Sequence, residues 1–150
     1  MTSDRSKTCP RVVLADDHPI SRYGMRIVLT HLGAAEVVAE AGNAAELFTV
    51  LSEVPCDVVL SDYVMPDERH ADGIGMIRCL ARVYPSIPLV VVTALHDVTL
   101  FESALREGVR GWVEKSDDAS ELIAAVYKVI AGHIYISPSM RSAMIDRDRS

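Results

Sequence analysis

The feature that most constrains this chain is an alternation: five short apolar runs, each followed by a segment with helical spacing. VVLA (12–15) is apolar throughout and too short for a helix, as a strand buried on both faces must be. Pro19 opens a segment reaching residue 32 in which Ile20, Tyr23 and Ile27 recur at helical spacing. Proline suits a first helical turn because it has no N–H to lose there. EVVAEA (36–41) reads as a second strand, and Asn43 with Glu46 as a capping box before Leu47, Val50, Leu51 and Val54. DVVLSD (57–62) is a third strand, and Asp72 a cap for a helix whose apolar face includes Ile74, Ile77 and Leu80. IPLVVVT (87–93) is nearly all apolar and belongs at the sheet centre. Residues 97–107 read as a fourth helix stopped by Gly108. VRGWVE (109–114) is a less apolar strand, expected at a sheet edge. Asp118 and Glu121 are spaced as another capping box, before Leu122, Ile123, Val126, Val129 and Ile130.

Five strand–helix units with short connections require a parallel sheet covered by helices on both faces, joined by right-handed crossovers. The expected fold is α/β: a (βα)5 flavodoxin-like doubly wound parallel sheet, strand order 2-1-3-4-5. Residues 1–10 read as a flexible polar leader and 11–132 as the folded domain. Across 133–150 the pattern fades through HIYISPSM into a charged tail, DRDRS, expected to be a linker start and disordered at its end. A chain of 150 residues can bury a real core, and with 5% aromatic residues that core is aliphatic.

Charge and cysteine content exclude several function classes. With 15 basic and 21 acidic residues the net charge is −6, a poor ligand for a phosphate backbone. Cys9, Cys56 and Cys79 are odd in number and form no CxxC pair, which argues against a disulfide framework or a structural zinc site and for a reducing cytoplasm. The N-terminus has no apolar signal core, and no run approaches the roughly 20 apolar residues that span a bilayer.

The chemistry gathers at the carboxyl ends of the expected strands, where sheets of this kind bind ligands. Strand one ends at Asp16-Asp17, strand three at Asp62, strand four at Thr93, and strand five near Lys115. Three carboxylates converging in one cleft repel one another unless a cation joins them. An all-oxygen set selects a hard ion such as Mg²⁺, or Mn²⁺. Lys115 adds a point charge and Thr93 a hydroxyl, an arrangement suited to phosphoryl transfer onto a carboxylate. A phosphatase using an aspartate nucleophile typically needs a second acid two residues on, and here that position is Val64. A nucleotide or flavin domain needs a Gly- or hydroxyl-rich loop after strand one, whereas ADDHPIS is acidic. His18 reads as the opening of helix one, and the DERHAD run with His70 as a solvated loop.

ADDHP, DYVMP, VVVTA and GWVEK together resemble the receiver domains of two-component response regulators. DDHP, and the Lys-Ser that follows GWVE, resemble the NarL/FixJ subgroup; the long DYVMPDERHADGIGMI stretch resembles its RcsB branch. The resemblance covers about residues 11–132. It implies that Asp62 is the phospho-acceptor, that Asp17 ligates the metal directly and Asp16 through water, and that Val64 ligates through its backbone carbonyl. Thr93 is implied as the switch hydroxyl, Lys115 as the phosphate-binding lysine, and Trp112 as the switch aromatic or simply as edge packing. Implied partners are a histidine kinase or phosphotransfer domain and a phosphorylation-dependent homodimer, through helix four with strand five and helix five or through helices one and five. DNA would be contacted only through a helix-turn-helix domain outside this chain; the alternative is a stand-alone regulator acting by protein–protein contact. The resemblance implies no enzyme beyond self-phosphorylation and self-dephosphorylation.

Overall fold

The computed structural model describes residues 9–65 and 73–149. Six strands form one parallel sheet: β1 (Arg11–Ala15), β2 (Glu36–Ala41), β3 (Val58–Ser61), β4 (Leu89–Thr93), β5 (Gly111–Glu114) and β6 (Tyr135–Ile136), in the order β2-β1-β3-β4-β5-β6. The helices are α1 (Pro19–Thr30), α2 (Ala44–Glu53), α3 (Gly73–Val83), α4 (Val98–Arg106), α5 (Ser120–Ile130) and α6 (Pro138–Arg149). The doubly wound (βα)5 frame stands as expected, with one strand and one helix added.

Successive side chains of a strand point to opposite faces, and the core divides accordingly. Val13, Ala15, Val59, Val91 and Trp112 pack on the face covered by α2, α3, α4 and α6. Val12, Leu14, Leu60, Val90, Val92 and Val113 pack on the face covered by α1 and α5. The Asn43 side chain caps α2 by accepting from Glu46 N–H at 2.8 Å, and Glu46 returns a bond to Gly42 N–H at 2.7 Å. Asp97 caps α4 by accepting from Leu100 N–H. Asp118 accepts from both the N–H and the hydroxyl of Ser120, a tighter turn than the expected capping box. Gly73 opens α3 against the backbone that follows β3; a Cβ there would lie 2.3 Å from the Tyr63 carbonyl oxygen.

Three expectations are corrected. β5 is not an edge: all four of its residues are buried, and β6 pairs beyond it, aligning Trp112 with Ile136. The expected apolar face of α1 points outward. Ile20, Tyr23 and Ile27 are exposed, while Met25 and Leu29 are buried. Residues two apart on a helix differ by about 200° in direction, so Ile27 and Met25 belong to opposite faces. Finally, the expected fading of the pattern after Gly132, with disorder in the last five residues, gives way to β6 and to α6, which runs through Arg149. Pro138 begins that helix, where its missing N–H is harmless, and Met140, Ala143 and Met144 pack on the core at helical spacing. The expected Asp72 cap, His70 and the rest of DERHAD fall within 66–72, outside the described residues.

Candidate functional site

The sheet order sets β1, β3, β4 and β5 side by side, and each delivers its polar residue at its carboxyl end. Asp16 and Asp17 follow Ala15, Asp62 follows Ser61, Thr93 ends β4, and Lys115 follows Glu114. Register aligns these ends, pairing Ala15 with Ser61 and Thr93 with Glu114. Backbone bonds hold the loops in place: Asp16 N–H to the Ala41 carbonyl, Asp62 N–H to Ala15 and Lys115 N–H to Thr93.

Lys115 is the hub. Its Nζ lies 2.7 Å from Asp16 Oδ2, 2.9 Å from Asp62 Oδ2 and 3.3 Å from the Ser21 hydroxyl on α1. Burial lowers the lysine pKa, but the carboxylates of Asp16 and Asp62 more than offset it, so the ammonium form is held above its usual range. Asp62 Oδ1 accepts from Val64 N–H at 3.2 Å. The Val64 side chain is exposed, consistent with a position acting through its backbone. Thr93 is fully buried, and its Oγ1 accepts from Leu95 N–H at 3.2 Å. Trp112 is fully buried rather than at an edge, edge-on to Phe101 with ring centroids 5.5 Å apart.

The acidic cluster fits a hard cation. Ligand atoms of Asp16, Asp17, His18 and Asp62 lie within 4.8 Å of one another. Asp16 Oδ2 is buried against Lys115 Nζ at 2.7 Å and Asp17 Oδ1 against His18 Nδ1 at 3.1 Å; the donor set is carboxylate oxygen, which suits a hard cation.

Several site residues escaped the sequence reading. Ser21 contacts Lys115 across 94 positions of chain; its signal was one helical turn's distance from Asp17 on α1. His18, read as the opening of helix one, is the N-cap of α1, and its Nδ1 sits 3.1 Å from both Asp16 Oδ1 and Asp17 Oδ1. His96, in the loop after Thr93, meets the buried Glu114 at 2.8 Å, and Asp117 accepts from Glu114 N–H at 2.8 Å. These contacts tie the Thr93 loop to the Lys115 loop.

Residues 12–127 match the family model of the response regulator receiver domain. The chain belongs to that family. Among solved structures this receiver is similar to the isolated REC domain of RcsB from Salmonella enterica serovar Typhimurium, determined with the phosphomimetic BeF3-. That match has a TM-score of 0.83 and 27% identity and covers 89% of this chain and 97% of that one. It is also similar to a LuxR-family response regulator from Aurantimonas sp. SI85-9A1, with a TM-score of 0.86 and 28% identity over 95% and 99% of the two chains. Among curated proteins, the oxygen regulatory protein NreC of Staphylococcus aureus (strain JH9) is 26% identical over 136 residues. This receiver spans 62% of NreC's length. The RcsB-like resemblance in the sequence motifs thus stands.

Proposed function

We propose that Asp62 accepts a phosphoryl group from a phosphohistidine on a histidine kinase or phosphotransfer partner, and that the change switches an outer face of the domain. The observation that carries this reading is the Lys115 ammonium 2.9 Å from Asp62 Oδ2 inside an acid pocket. An Asp62 carboxylate oxygen attacks phosphorus, the P–N bond to the donor imidazole breaks, and that nitrogen keeps the electron pair and takes a proton. Val64 N–H orients the carboxylate. Lys115 stays charged and offsets the negative charge of the arriving phosphoryl oxygens. Thr93 turns its hydroxyl from Leu95 N–H toward one of those oxygens. Asp16, Asp17 and Asp62, with the Val64 carbonyl, would hold Mg²⁺ or Mn²⁺, which when bound neutralises charge and orients the incoming group. No general acid follows the nucleophile at position 64, in keeping with a signalling domain whose own chemistry is limited to self-phosphorylation and self-dephosphorylation.

The downstream role is read from relatives. RcsB has been solved as a complex with DNA, and this chain covers 66% of that protein. An acidic receiver is a poor DNA ligand, so transcription control would pass through a separate helix-turn-helix domain. Among the described residues no helix is long and apolar enough to cross a membrane; a cytoplasmic location is part of the proposal.

The test uses a small-molecule phosphodonor with Mg²⁺ and intact-mass detection. One phosphoryl group should add to the native chain and none to Asp62→Asn, with the variant folded by circular dichroism. Labelling of Asp62→Asn to the native extent would overturn the assignment.

A further inference from the structure

Among the described residues the buried acids are Asp16, Asp62 and Glu114. The first two belong to the strand-end site, and the chemistry above makes no use of the third. Glu114 closes β5, 4% exposed, in register with Thr93 at the end of β4. A carboxylate taken out of water is costly unless a donor meets it. Among the described residues one side chain does so: His96 Nδ1 lies 2.9 Å from Oε1 and 2.8 Å from Oε2. The His96 side chain is 56% exposed, so its ring exchanges protons with water while it reaches an acid that water does not. The tie closes a short ring around Thr93. Lys115 N–H donates to the Thr93 carbonyl at 2.7 Å, and Leu95 N–H donates to the Thr93 hydroxyl oxygen at 3.2 Å. The charged groups on the adjoining segments are engaged elsewhere. Asp97 caps α4, Lys115 is held by Asp16 and Asp62, and Asp117 accepts from Glu114 N–H and the Ser139 hydroxyl. On α4 and α6, Arg106 donates to Ser103 and Arg147 pairs with Glu102. Among these contacts none gives the Glu114 carboxylate a second cation.

We infer that Glu114 and His96 are a positioning pair for Thr93: the buried carboxylate holds the loop that follows the threonine, and the strength of the hold follows the charge on the imidazole. With the ring protonated, Nδ1–H donates a charge-assisted bond and the buried negative charge has its counter-charge. With the ring neutral, the same N–H donates alone, and the acid stands uncompensated in a low-dielectric setting. The hold then weakens, the loop gains freedom, and the bond between Leu95 N–H and the Thr93 hydroxyl oxygen loosens with it. An imidazole changes charge close to neutrality. Acid conditions therefore keep Thr93 in its resting bond, and mildly alkaline conditions make its hydroxyl available to another acceptor. The positioning half of the inference rests on the reading in which Thr93 meets an oxygen of a phosphoryl group on Asp62; the latch between His96 and Glu114 does not.

Amide hydrogen exchange on the full chain, corrected for the intrinsic effect of pH, tests the latch with no phosphate mimic present. The measurement compares about pH 5.5 with about pH 8.5, which bracket the ordinary histidine value. At the higher pH, exchange at 95–97 of the native chain should be faster by about fivefold, the step from a charged to a neutral hydrogen bond. His96→Lys keeps a cation at both pH values and should stay slow at both. Glu114→Gln has the same shape without the buried charge, and its corrected exchange should be equal at the two pH values. Circular dichroism checks that each variant is folded, and the isosteric Glu114→Gln serves even where a lysine in the loop is not tolerated. Flat corrected exchange in the native chain, or a His96→Lys loop that loosens as the native one does, would overturn the latch. The second arm titrates beryllofluoride, a mimic of the acyl phosphate, with Mg²⁺ by calorimetry. Glu114→Gln should bind it about fivefold more tightly than the native chain at the lower pH and about equally at the higher, since coupling between the loop and the mimic is reciprocal. The ratio between the two proteins cancels the mimic's own response to pH. A ratio that stays the same at both pH values would overturn the positioning of Thr93. A mimic that binds neither protein would overturn the acceptor reading and the positioning role with it, while the exchange arm still decides the latch.

Discussion

Val64 and Leu95 flank the site, each two residues past a site residue and each exposed. Both offer only hydrocarbon where an attacking water would need a hydrogen-bonding partner, so the aspartyl phosphate should decay slowly. Val64→Asn supplies that partner. The expected result is decay faster by about fivefold, the equivalent of one hydrogen bond of about 1 kcal/mol, followed by loss of the phosphorylated mass with time; an unchanged half-life would remove position 64 from the account. Lys115 needs no pH tuning for its role. Its folded pKa is raised, so its contribution to stability is complete below the ordinary lysine value of 10.5 and fades only as pH rises through the higher folded value. At this scale the acids, the threonine and the lysine were legible because each ends a strand, and strand ends follow from periodicity. Ser21, His96 and Asp117 were not, because their roles come from contacts between elements and leave no local pattern.

Elements were legible where one period dominated and misread where two stripes competed. α1 carries an outer stripe of Ile20, Tyr23 and Ile27 and an inner one of Met25 and Leu29, and the outer stripe holds the larger side chains. β5 looked like an edge because Arg110 and Gly111 dilute its hydropathy; the strand that covers it, β6, has only two residues. α6 was read as a tail because Asp146, Arg147 and Asp148 mask its Met140, Ala143 and Met144 stripe. Its charged end gives a pH prediction. Paired with Arg147 and facing Arg106, Glu102 titrates below the ordinary glutamate value of 4.5. A depressed carboxylate pKa adds stability that is complete above 4.5 and lost as pH falls through the folded value. Exchange in α6 should therefore quicken on acidification below pH 4.5 at a pH where strand amides stay protected. In Glu102→Gln it should already be raised at neutral pH and respond less to acid. Equal acid response in both proteins would show that the Arg147 pair does not hold the helix end.

For the whole molecule, the two faces expected for a phosphorylation-dependent homodimer differ in what covers them. The α4–β5 face is occupied by α6. The α1–α5 side is open: Ile20, Tyr23 and Ile27 on α1 and Tyr127 and Ile130 on α5 are all exposed, and the two helices pack against each other. Exposed apolar side chains on two neighbouring helices offer a surface on which a second copy could pack. It is wired to the site as well, since Lys115 touches Ser21 on α1 and α5 begins five residues after Lys115. If Lys115 is drawn toward a phosphoryl group, its contact with Ser21 on α1 is expected to break, which would couple this side to the site. The mimic can shift the assembly only by its differential affinity for the two arrangements, so a partial rise in mass is expected. Arg110 is a poor probe of the other face, because its guanidinium bonds the Gly132 carbonyl, and reversing Arg22 would break its pair with Glu40. Outer apolar positions are cleaner. Sedimentation with beryllofluoride and Mg²⁺ should show a larger species for the native chain, and Ile20→Glu with Ile27→Glu should return it to monomer with little change in melting temperature, since both side chains are already solvated. If that double variant still associates while Glu102→Arg does not, the switch acts through the α4 face after α6 has left it.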